Sequence, residues 1–244
     1  MNIVIDIEEK WNSDMSAEPR LYLSDDPKEL ISLTSKGHFA VPVLTDKNRD
    51  ADFSSYKYIV SDPDNIDHDS YVKIWQRYAS LPWHILDSDR LTVREMCPSD
   101  LDDLYLLYKD KSVTRFMEDL FPDPADELHY IHNYIKNVYS YWNFGTWNVY
   151  KKDSGELVGR AGFNYRPDYE EPELGFMIGA AYQRQGYAFE VCKAILDYGF
   201  NELEFSSVQA MADRENTASV SLLKKLGFSE APGHSDLQRY LLKK

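Results

Sequence analysis

The segment most suited to chemistry is a glycine-containing turn between an apolar strand and an amphipathic helix. It reads Phe176-Met177-Ile178-Gly179-Ala180-Ala181-Tyr182-Gln183-Arg184-Gln185-Gly186-Tyr187-Ala188. Small residues at 186 and 188 leave backbone N–H groups uncovered where the helix begins, so these groups can converge on an anion such as a pyrophosphate. Arg184 adds a charge-assisted donor. A glycine at a helix start is also ordinary turn chemistry, and the segment alone leaves both interpretations open.

A second pattern lies downstream, and the two together resemble a known family. Gln183-x-x-Gly186-x-Ala188 is similar to the Q/R-x-x-G-x-G/A acyl-CoA signature of the GNAT N-acetyltransferases. Residues 216–219 (NTAS) and 225–228 (KLGF) resemble the N-x-x-S and K-x-G-F helix of that family. Upstream, residues 90–94 (RLTVR) and 113–117 (VTRFM) resemble the branch typified by RimJ and RimL, which acetylate ribosomal-protein N-termini. The resemblance covers about residues 90–244.

The resemblance implies how acetyl-CoA, the family's cosubstrate, is held; it implies no metal. The backbone of the strand before the loop pairs with pantetheine as an additional strand would. Asn216, which also reads as a helix N-cap, lies near the thiol arm, and Ser219 is a weaker contact. The implied strand residues are Phe176, Met177 and Ile178, and the implied pyrophosphate loop comprises Gln183, Arg184, Gln185, Gly186, Tyr187 and Ala188.

Catalysis in this family is direct attack of a primary amine on the bound thioester, which requires proton removal, carbonyl polarisation and protonation of the leaving thiolate. Glu173 occupies the place of the family's base carboxylate, acting directly or through water. The alternative is a solvated carboxylate in the acidic cluster of residues 170–173. The chain departs from the family at Leu223, where many relatives carry a tyrosine acid. The acid is therefore unassigned: Ser219, Ser221 or water could serve, or the thiolate could leave unassisted.

The elements that must position these residues form the second part of the chain, residues 88–244. Periodicity predicts the order β-α-α-β-β-β-α-β-α-β-β, and the resemblance implies the α/β (α+β) GNAT fold with a mixed, mostly antiparallel central sheet. The predicted elements after the first strand and helix are a helix over 125–142, strands over 147–151, 157–165 and 173–179, a helix over 186–202, a strand over 208–212, a helix over 217–226 and a hairpin over 229–242.

Residues 1–87 predict a small α/β module. A strand at 21–23, a helix at 27–36 and a strand at 39–44 favour a parallel β-α-β unit, followed by a strand at 56–60 and a helix at 70–80. Asp25 and Asp26 follow a strand, where some folds keep metal-binding carboxylates, but helix capping also explains them. Trp75 and Trp83 are expected to be buried against the transferase domain, so that the two parts unfold together.

Composition narrows the class of protein further. The 244 residues are 43% hydrophobic, enough for a sizeable core, and a net charge of −14 disfavours nucleic acid as a partner. An acidic surface instead favours a cationic small molecule or a basic peptide. No apolar run approaches the roughly 18 residues of a membrane span, and the N-terminus lacks the features of a secretory signal, so a cytoplasmic location is expected.

Other candidate sites are weaker. Cys97 and Cys192 are too few for a disulfide framework or a metal site, and both are expected to be reduced. His129 and His132 are spaced as a helical pair that can bind metal, but a third ligand is missing from the sequence.

The sequence therefore predicts acetyl transfer from acetyl-CoA to a primary amine of a small molecule or of a protein or peptide N-terminus. One alternative is an acyl-CoA-binding sensor of the same fold without turnover, which Leu223 makes conceivable. Another is a bifunctional protein whose first module performs separate phosphate chemistry, although that module has no nucleophile or P-loop. The sequence does not determine the oligomeric state and is compatible with an oligomer.

Overall fold

The computed structural model describes residues 1–7, 19–233 and 236–244, which divide into two compact units, Met1–Trp83 and His84–Lys244. The sequence places the boundary later, near residue 87, because the polar residues 87–89 resemble a linker. In the structure a strand, His84–Asp87, pairs antiparallel with the next strand, so it belongs to the sheet of the second unit. The polar residues form the turn of this hairpin. The division of the chain into a small N-terminal module and a second, larger domain stays a prediction.

The first unit is a three-stranded sheet with two helices. Its elements are β1 (Asn2–Asp6), β2 (Arg20–Ser24), α1 (Pro27–Ser35), β3 (Ala40–Pro42) and α2 (His68–Tyr78). β2 pairs antiparallel with β1 and parallel with β3. The β-α-β prediction is confirmed, whereas the strand expected at 56–60 is reduced to a single bridge between Val43 and Val60. β1, half exposed along its length, is not predicted.

Local chemistry explains the acidic pair that follows β2. The Asp26 carboxylate accepts a hydrogen bond from the Lys28 N–H at 2.9 Å, which makes it the N-cap of α1. Asp25 pairs with the N-terminal ammonium group. Capping and ion pairing therefore account for both carboxylates.

The second unit is an eight-stranded sheet with helices on both faces. Its elements are β4 (His84–Asp87), β5 (Leu91–Arg94), α3 (Leu101–Leu107), α4 (Pro124–Tyr134), α5 (Ser140–Trp142), β6 (Thr146–Lys151), β7 (Leu157–Asn164), β8 (Glu173–Ile178), α6 (Tyr187–Asn201), β9 (Ser207–Ala212), α7 (Thr217–Lys225), β10 (Ser229–Ala231) and β11 (Gln238–Lys243). The strand order is β10-β11-β9-β8-β7-β6-β5-β4, antiparallel except between β8 and β9. From β5 onward the predicted element order is confirmed.

One predicted element differs in detail. The helix expected over 125–142 is interrupted by a π-helical turn, Ile135–Tyr139, and ends at Asn143 in the left-handed region with φ 57°. A π-turn shifts the helical register, so Tyr139 is fully buried, whereas Trp142 is 44% exposed. The Tyr139 hydroxyl donates to the Thr146 carbonyl at 2.5 Å and accepts from the Met96 N–H at 3.2 Å. These bonds hold the turn against the sheet.

Strand alternation divides the sheet into two faces with different partners. Trp147 in β6 contacts Tyr198 of α6, with ring centroids 5.8 Å apart, so α6 covers the face on which Trp147 lies. The strand register places Asn148, Arg160 and Met177 in one row on the opposite face. The helical segments around α3 and α4 cover that face.

Candidate active site

The site lies where two neighbouring strands separate. β8 and β9 run parallel, yet among the described residues their register pairs only Glu173 with Gln209, whose N–H donates to the Pro172 carbonyl at 2.9 Å. Beyond this point the edge of β8 that faces β9 is left without a strand partner. The unit therefore contains an opening shaped for an additional extended segment.

The hydrogen-bond phase of β8 decides which residues face that opening. The Gly179 N–H donates to the Val158 carbonyl at 2.9 Å, and backbone groups alternate in direction along an antiparallel strand. The backbone N–H and C=O groups of Met177 therefore point towards β7. Those of Phe176 and Ile178 point towards the opening. The expectation that Met177 offers its backbone to a ligand is wrong for this reason.

The loop after β8 is held by its own side chains. Gln183 Nε2 donates to the Ile178 carbonyl at 3.0 Å, and Gln185 Nε2 donates to the Ala181 carbonyl at 3.1 Å. Gly186 adopts φ 86° at the N-cap of α6, and a Cβ there would meet only an Arg90 nitrogen, at 3.4 Å. The backbone angle rather than lack of space thus favours glycine. Residues 183–186 are exposed, and the Gln183 N–H donates to the Ala180 carbonyl at 3.4 Å. The amides that follow residue 183 are therefore the ones that can meet a ligand.

An ion pair that the sequence does not identify fastens this loop to β5. Arg90 donates from Nε to Glu190 Oε2 at 2.7 Å and from one terminal nitrogen, Nη1, to the Gln185 carbonyl at 3.1 Å. Glu190 Oε1 accepts from the Arg90 N–H and from Ser88 Oγ. Burial raises the pKa of Glu190, but hydrogen bonds from Ser88 and Arg90 outweigh it and hold that pKa below its ordinary value. Since Arg90 neutralises Glu190, the carboxylate does not cancel the positive end of α6.

Glu173, the predicted base, lies at the start of β8 and is paired with an arginine. Arg166 donates from Nε to Glu173 Oε2 at 2.5 Å and from its terminal nitrogen to Oε1 at 3.1 Å. The Glu173 side chain is only 16% exposed, so the alternative of a solvated carboxylate is wrong. A carboxylate has about four lone-pair positions, and two remain for a water or an amine. Its role as a base stays a prediction.

The helix α7 supplies a cap but no acid. Asn216 Oδ1 accepts from the Ser219 N–H at 3.2 Å, which confirms the predicted N-cap. Leu223 is 1% exposed and belongs to the core, so this position offers no proton donor. Ser219 is partly exposed and Ser221 is exposed.

Tyrosines cover the Arg160 face of the sheet beside β7 and β8. Tyr134 accepts from the Thr146 N–H at 2.8 Å and donates to Asn164 Oδ1 at 3.0 Å. Burial raises the pKa of both Tyr130 and Tyr139, so both hydroxyls are protonated at neutral pH. Tyr130 is 40% exposed and forms part of the surface of this cluster.

The described part of the chain contains no group of three or more His, Cys, Asp or Glu side chains arranged to hold a metal ion. His129 and His132 lie exposed on α4. Cys97 and Cys192 are free thiols, as predicted. Within the described residues, no helix is long and apolar enough to cross a bilayer.

Comparison with known proteins agrees with this geometry. The family model for the acetyltransferase (GNAT) domain matches residues 90–229, more than half of the chain, so the chain belongs to the GNAT acetyltransferase family. The protein is therefore an acetyl-transferring enzyme, and acetyl-CoA is the cosubstrate of its family. The predicted fold class is confirmed.

Individual relatives match part of the chain. The chain is 27% identical over 147 residues to the uncharacterized N-acetyltransferase YoaA of Bacillus subtilis, covering 60% of this chain and 83% of that protein. It is 33% identical over 61 residues to spermidine N(1)-acetyltransferase of Escherichia coli, and the match covers 25% of this chain and 33% of that protein. The crystal structure of RimL, a ribosomal L7/L12 alpha-N-protein acetyltransferase, superimposes with a TM-score of 0.57 at 14% identity. The match covers 67% of this chain and 96% of RimL, which shows a shared fold.

Proposed function

We propose that the protein transfers the acetyl group of acetyl-CoA to a primary amine of a small molecule or of a peptide N-terminus. The observation that carries the proposal is the separation of β8 from β9 next to the exposed start of α6. One edge offers backbone groups to an extended arm, and the adjoining loop offers amides to an anion. Acetyl-CoA combines those two features in one molecule, because a pantetheine arm is joined to a pyrophosphate.

Binding of acetyl-CoA is assigned to residues along this line. Phe176 and Ile178 pair with pantetheine through their backbones, and Asn216 and Ser219 lie towards the thiol arm. The pyrophosphate binds the amides of residues 184–188 with help from the Arg184 side chain, and Gln183 supports the loop through its side chain. Tyr187 is buried and contributes its N–H alone.

The chemistry follows from the groups that face the opening. The amine nitrogen forms a bond to the thioester carbon, the C–S bond breaks, and the amine loses a proton to Glu173 directly or through a water. The Phe176 N–H, which points away from β7, polarises the carbonyl. Arg166 donates to Glu173 and so fixes the position of the carboxylate that accepts the proton. The thiolate leaves with a proton from water, since thiols are far more acidic than amines.

The proposal specifies the acceptor as a primary amine and does not name the molecule that carries it. A spermidine acetyltransferase and RimL, a ribosomal-protein acetyltransferase, are both similar to this chain, and one is named for a polyamine and the other for a protein. The RimJ/RimL branch, the exclusion of nucleic acid and the cytoplasmic location stay predictions.

Calorimetry with acetyl-CoA and a thiol-release assay over a panel of amines test the proposal. We expect micromolar binding and amine-dependent release of CoA. Absence of binding heat would contradict the assigned site. Binding without release by any amine would instead favour the acyl-CoA sensor, a second candidate supported by the burial of Leu223 at the position of the usual acid.

A further inference from the structure

Arg160 is a half-buried arginine in the second unit for which the described residues provide no carboxylate partner. It lies in the middle of β7, and its Nε is buried with no hydrogen-bond partner. Among the described residues of this unit, Arg94, Arg166 and Arg239 each pair with an acid, and no ion pair is found for Arg160. Burying a charge without a counter-ion is costly, so such an arginine calls for an explanation.

The partners that Arg160 does have are weak. One terminal nitrogen donates to the Tyr108 hydroxyl at 3.4 Å, and the other approaches the Met96 sulfur at 3.5 Å. Each terminal nitrogen carries two N–H groups, so one on each is left over. Two adjacent N–H groups on a planar guanidinium match the two oxygens of a carboxylate.

The position of Arg160 relates it to the proposed thioester site. Arg160 lies opposite Met177 in β8. Gly175 lies two positions before Met177 in the same strand and therefore on the same face of the sheet. A Cβ on Gly175 would meet only Asn164, at 3.7 Å, so the sheet face beside Arg160 has free space at that point. Arg160 retains partial solvent access despite its buried Nε. A small acceptor lying over Gly175 can therefore place a charged group on Arg160.

We propose that Arg160 is a carboxylate-binding residue that selects acceptors carrying a carboxylate close to the reactive amine, the chemistry of a free amino acid. The inference rests on the proposed function and specifies its substrate class. It differs from the expectation that the acidic surface attracts cations. A zwitterion has no net charge to be repelled by a protein of net charge −14, and a half-buried guanidinium acts on its carboxylate at short range.

The test compares acids with their own amides. Rates of acetylation are measured for L-phenylalanine against L-phenylalaninamide and L-leucine against L-leucinamide, with spermidine as an amine lacking a carboxylate. Rates are expressed per unprotonated amine, because the amide has the less basic nitrogen. We expect kcat/KM to favour the acids by about tenfold or more, as for a charge-assisted hydrogen bond.

Variants of Arg160 assign that preference to the residue. Arg160→Gln is expected to abolish the preference by slowing acids alone, while calorimetry shows unchanged acetyl-CoA binding. Arg160→Lys is expected to reduce it, since an ammonium group lacks the bidentate geometry. Lys193→Gln, which removes an exposed charge from α6, is the control and should leave the preference unchanged.

The outcomes separate this inference from the proposed function. Amides or spermidine acetylated as fast as the acids would overturn the carboxylate site and leave acetyl transfer standing. A preference for acids that persists in folded Arg160→Gln would also overturn the carboxylate site. If Arg160→Gln does not fold, an undiminished preference in Arg160→Lys would overturn it. Binding of acetyl-CoA without acetylation of any amine would count against the proposed function itself.

Discussion

Glu173, the proposed base, is an ion-paired carboxylate with little exposure to solvent. Arg166 binds both of its carboxylate oxygens, and the side chain is largely shielded from solvent. If Glu173 accepts the amine proton, Glu173→Gln should lower kcat/KM by about 10²-fold with unchanged acetyl-CoA affinity. The loss should shrink at high pH, because the amine is then already deprotonated. Steady-state kinetics across pH measure both effects.

A neighbouring carboxylate provides the control for this prediction. Glu171 pairs with Arg239 at 2.8 Å and precedes β8. Glu171→Gln removes an ion-paired acid of the same type outside the proposed chemistry and should retain nearly full activity. Equal rates for Glu173→Gln and the unsubstituted protein at neutral pH would remove Glu173 from the mechanism.

Asp100 is a residue whose ionisation contributes to stability. Arg94 donates to both of its oxygens, at 2.9 and 2.6 Å, and the Cys97 N–H and Asn148 Nδ2 also donate. Burial raises the pKa of Asp100, but the hydrogen bonds and charge of Arg94 outweigh it and hold that pKa below the ordinary value. Asp100→Asn leaves Arg94 without its counter-ion and should lower the free energy of unfolding by about 3 kcal/mol at pH 7.

The pH dependence of that loss has a definite sign. A carboxyl group with a lowered pKa stabilises the fold above its unfolded pKa of about 3.9, and this contribution disappears as pH falls through its folded pKa. The difference between Asp100→Asn and the unsubstituted protein should therefore narrow in acid. Urea denaturation at several pH values measures it. Asp197→Asn, which removes an exposed i,i+4 pair with Lys193, should change stability by less than about 0.5 kcal/mol.

At the scale of elements, the turn from β8 to α6 combines an unusual backbone angle with free space. Gly186→Glu introduces a side chain at φ 86° and a negative charge where the proposed pyrophosphate binds. We expect acetyl-CoA binding to be lost in calorimetry while circular dichroism stays unchanged. Gly37→Glu is the control, because Gly37 has φ 83° and open space in the first unit. If Gly186→Glu binds acetyl-CoA normally, the loop is only a helix start.

At the scale of the whole molecule, all residues proposed to bind acetyl-CoA lie in the second unit. Residues 84–244 expressed alone should therefore bind acetyl-CoA with the affinity of the full chain in calorimetry. Loss of affinity in a folded fragment would show that the assignment of binding residues is incomplete. Comparing the amine preference of fragment and full chain measures what the first unit contributes.

The two tryptophans of the first unit have partners within it. Trp75 is fully buried and its ring meets Phe39 edge-on at 6.3 Å. The Trp83 N–H donates to the Lys73 carbonyl, and Arg77 lies 4.0 Å from its ring centroid. Their expected burial against the transferase domain, and joint unfolding, stay predictions, which thermal denaturation of the full chain would test as one transition or two.

Features set by short stretches of chain could be predicted from the sequence. Asp26 and Asn216 cap helices as expected, because capping depends on residues two or three positions away. The order of strands and helices after residue 90 follows from hydrophobic periodicity, which each element displays within its own length. The segment 176–188, from the end of β8 to the start of α6, could be identified because its small residues lie close together in the sequence.

Features that depend on residues far apart in sequence were decided by the tertiary structure alone. The partner of Glu190 is Arg90, and the direction of the Met177 backbone depends on the register with β7. The lack of an ion-pair partner for Arg160 among the described residues likewise depends on which side chains α3 and α4 place over the sheet. Contacts of this kind follow from strand register and helix packing, and periodicity within one segment carries no information about its partner.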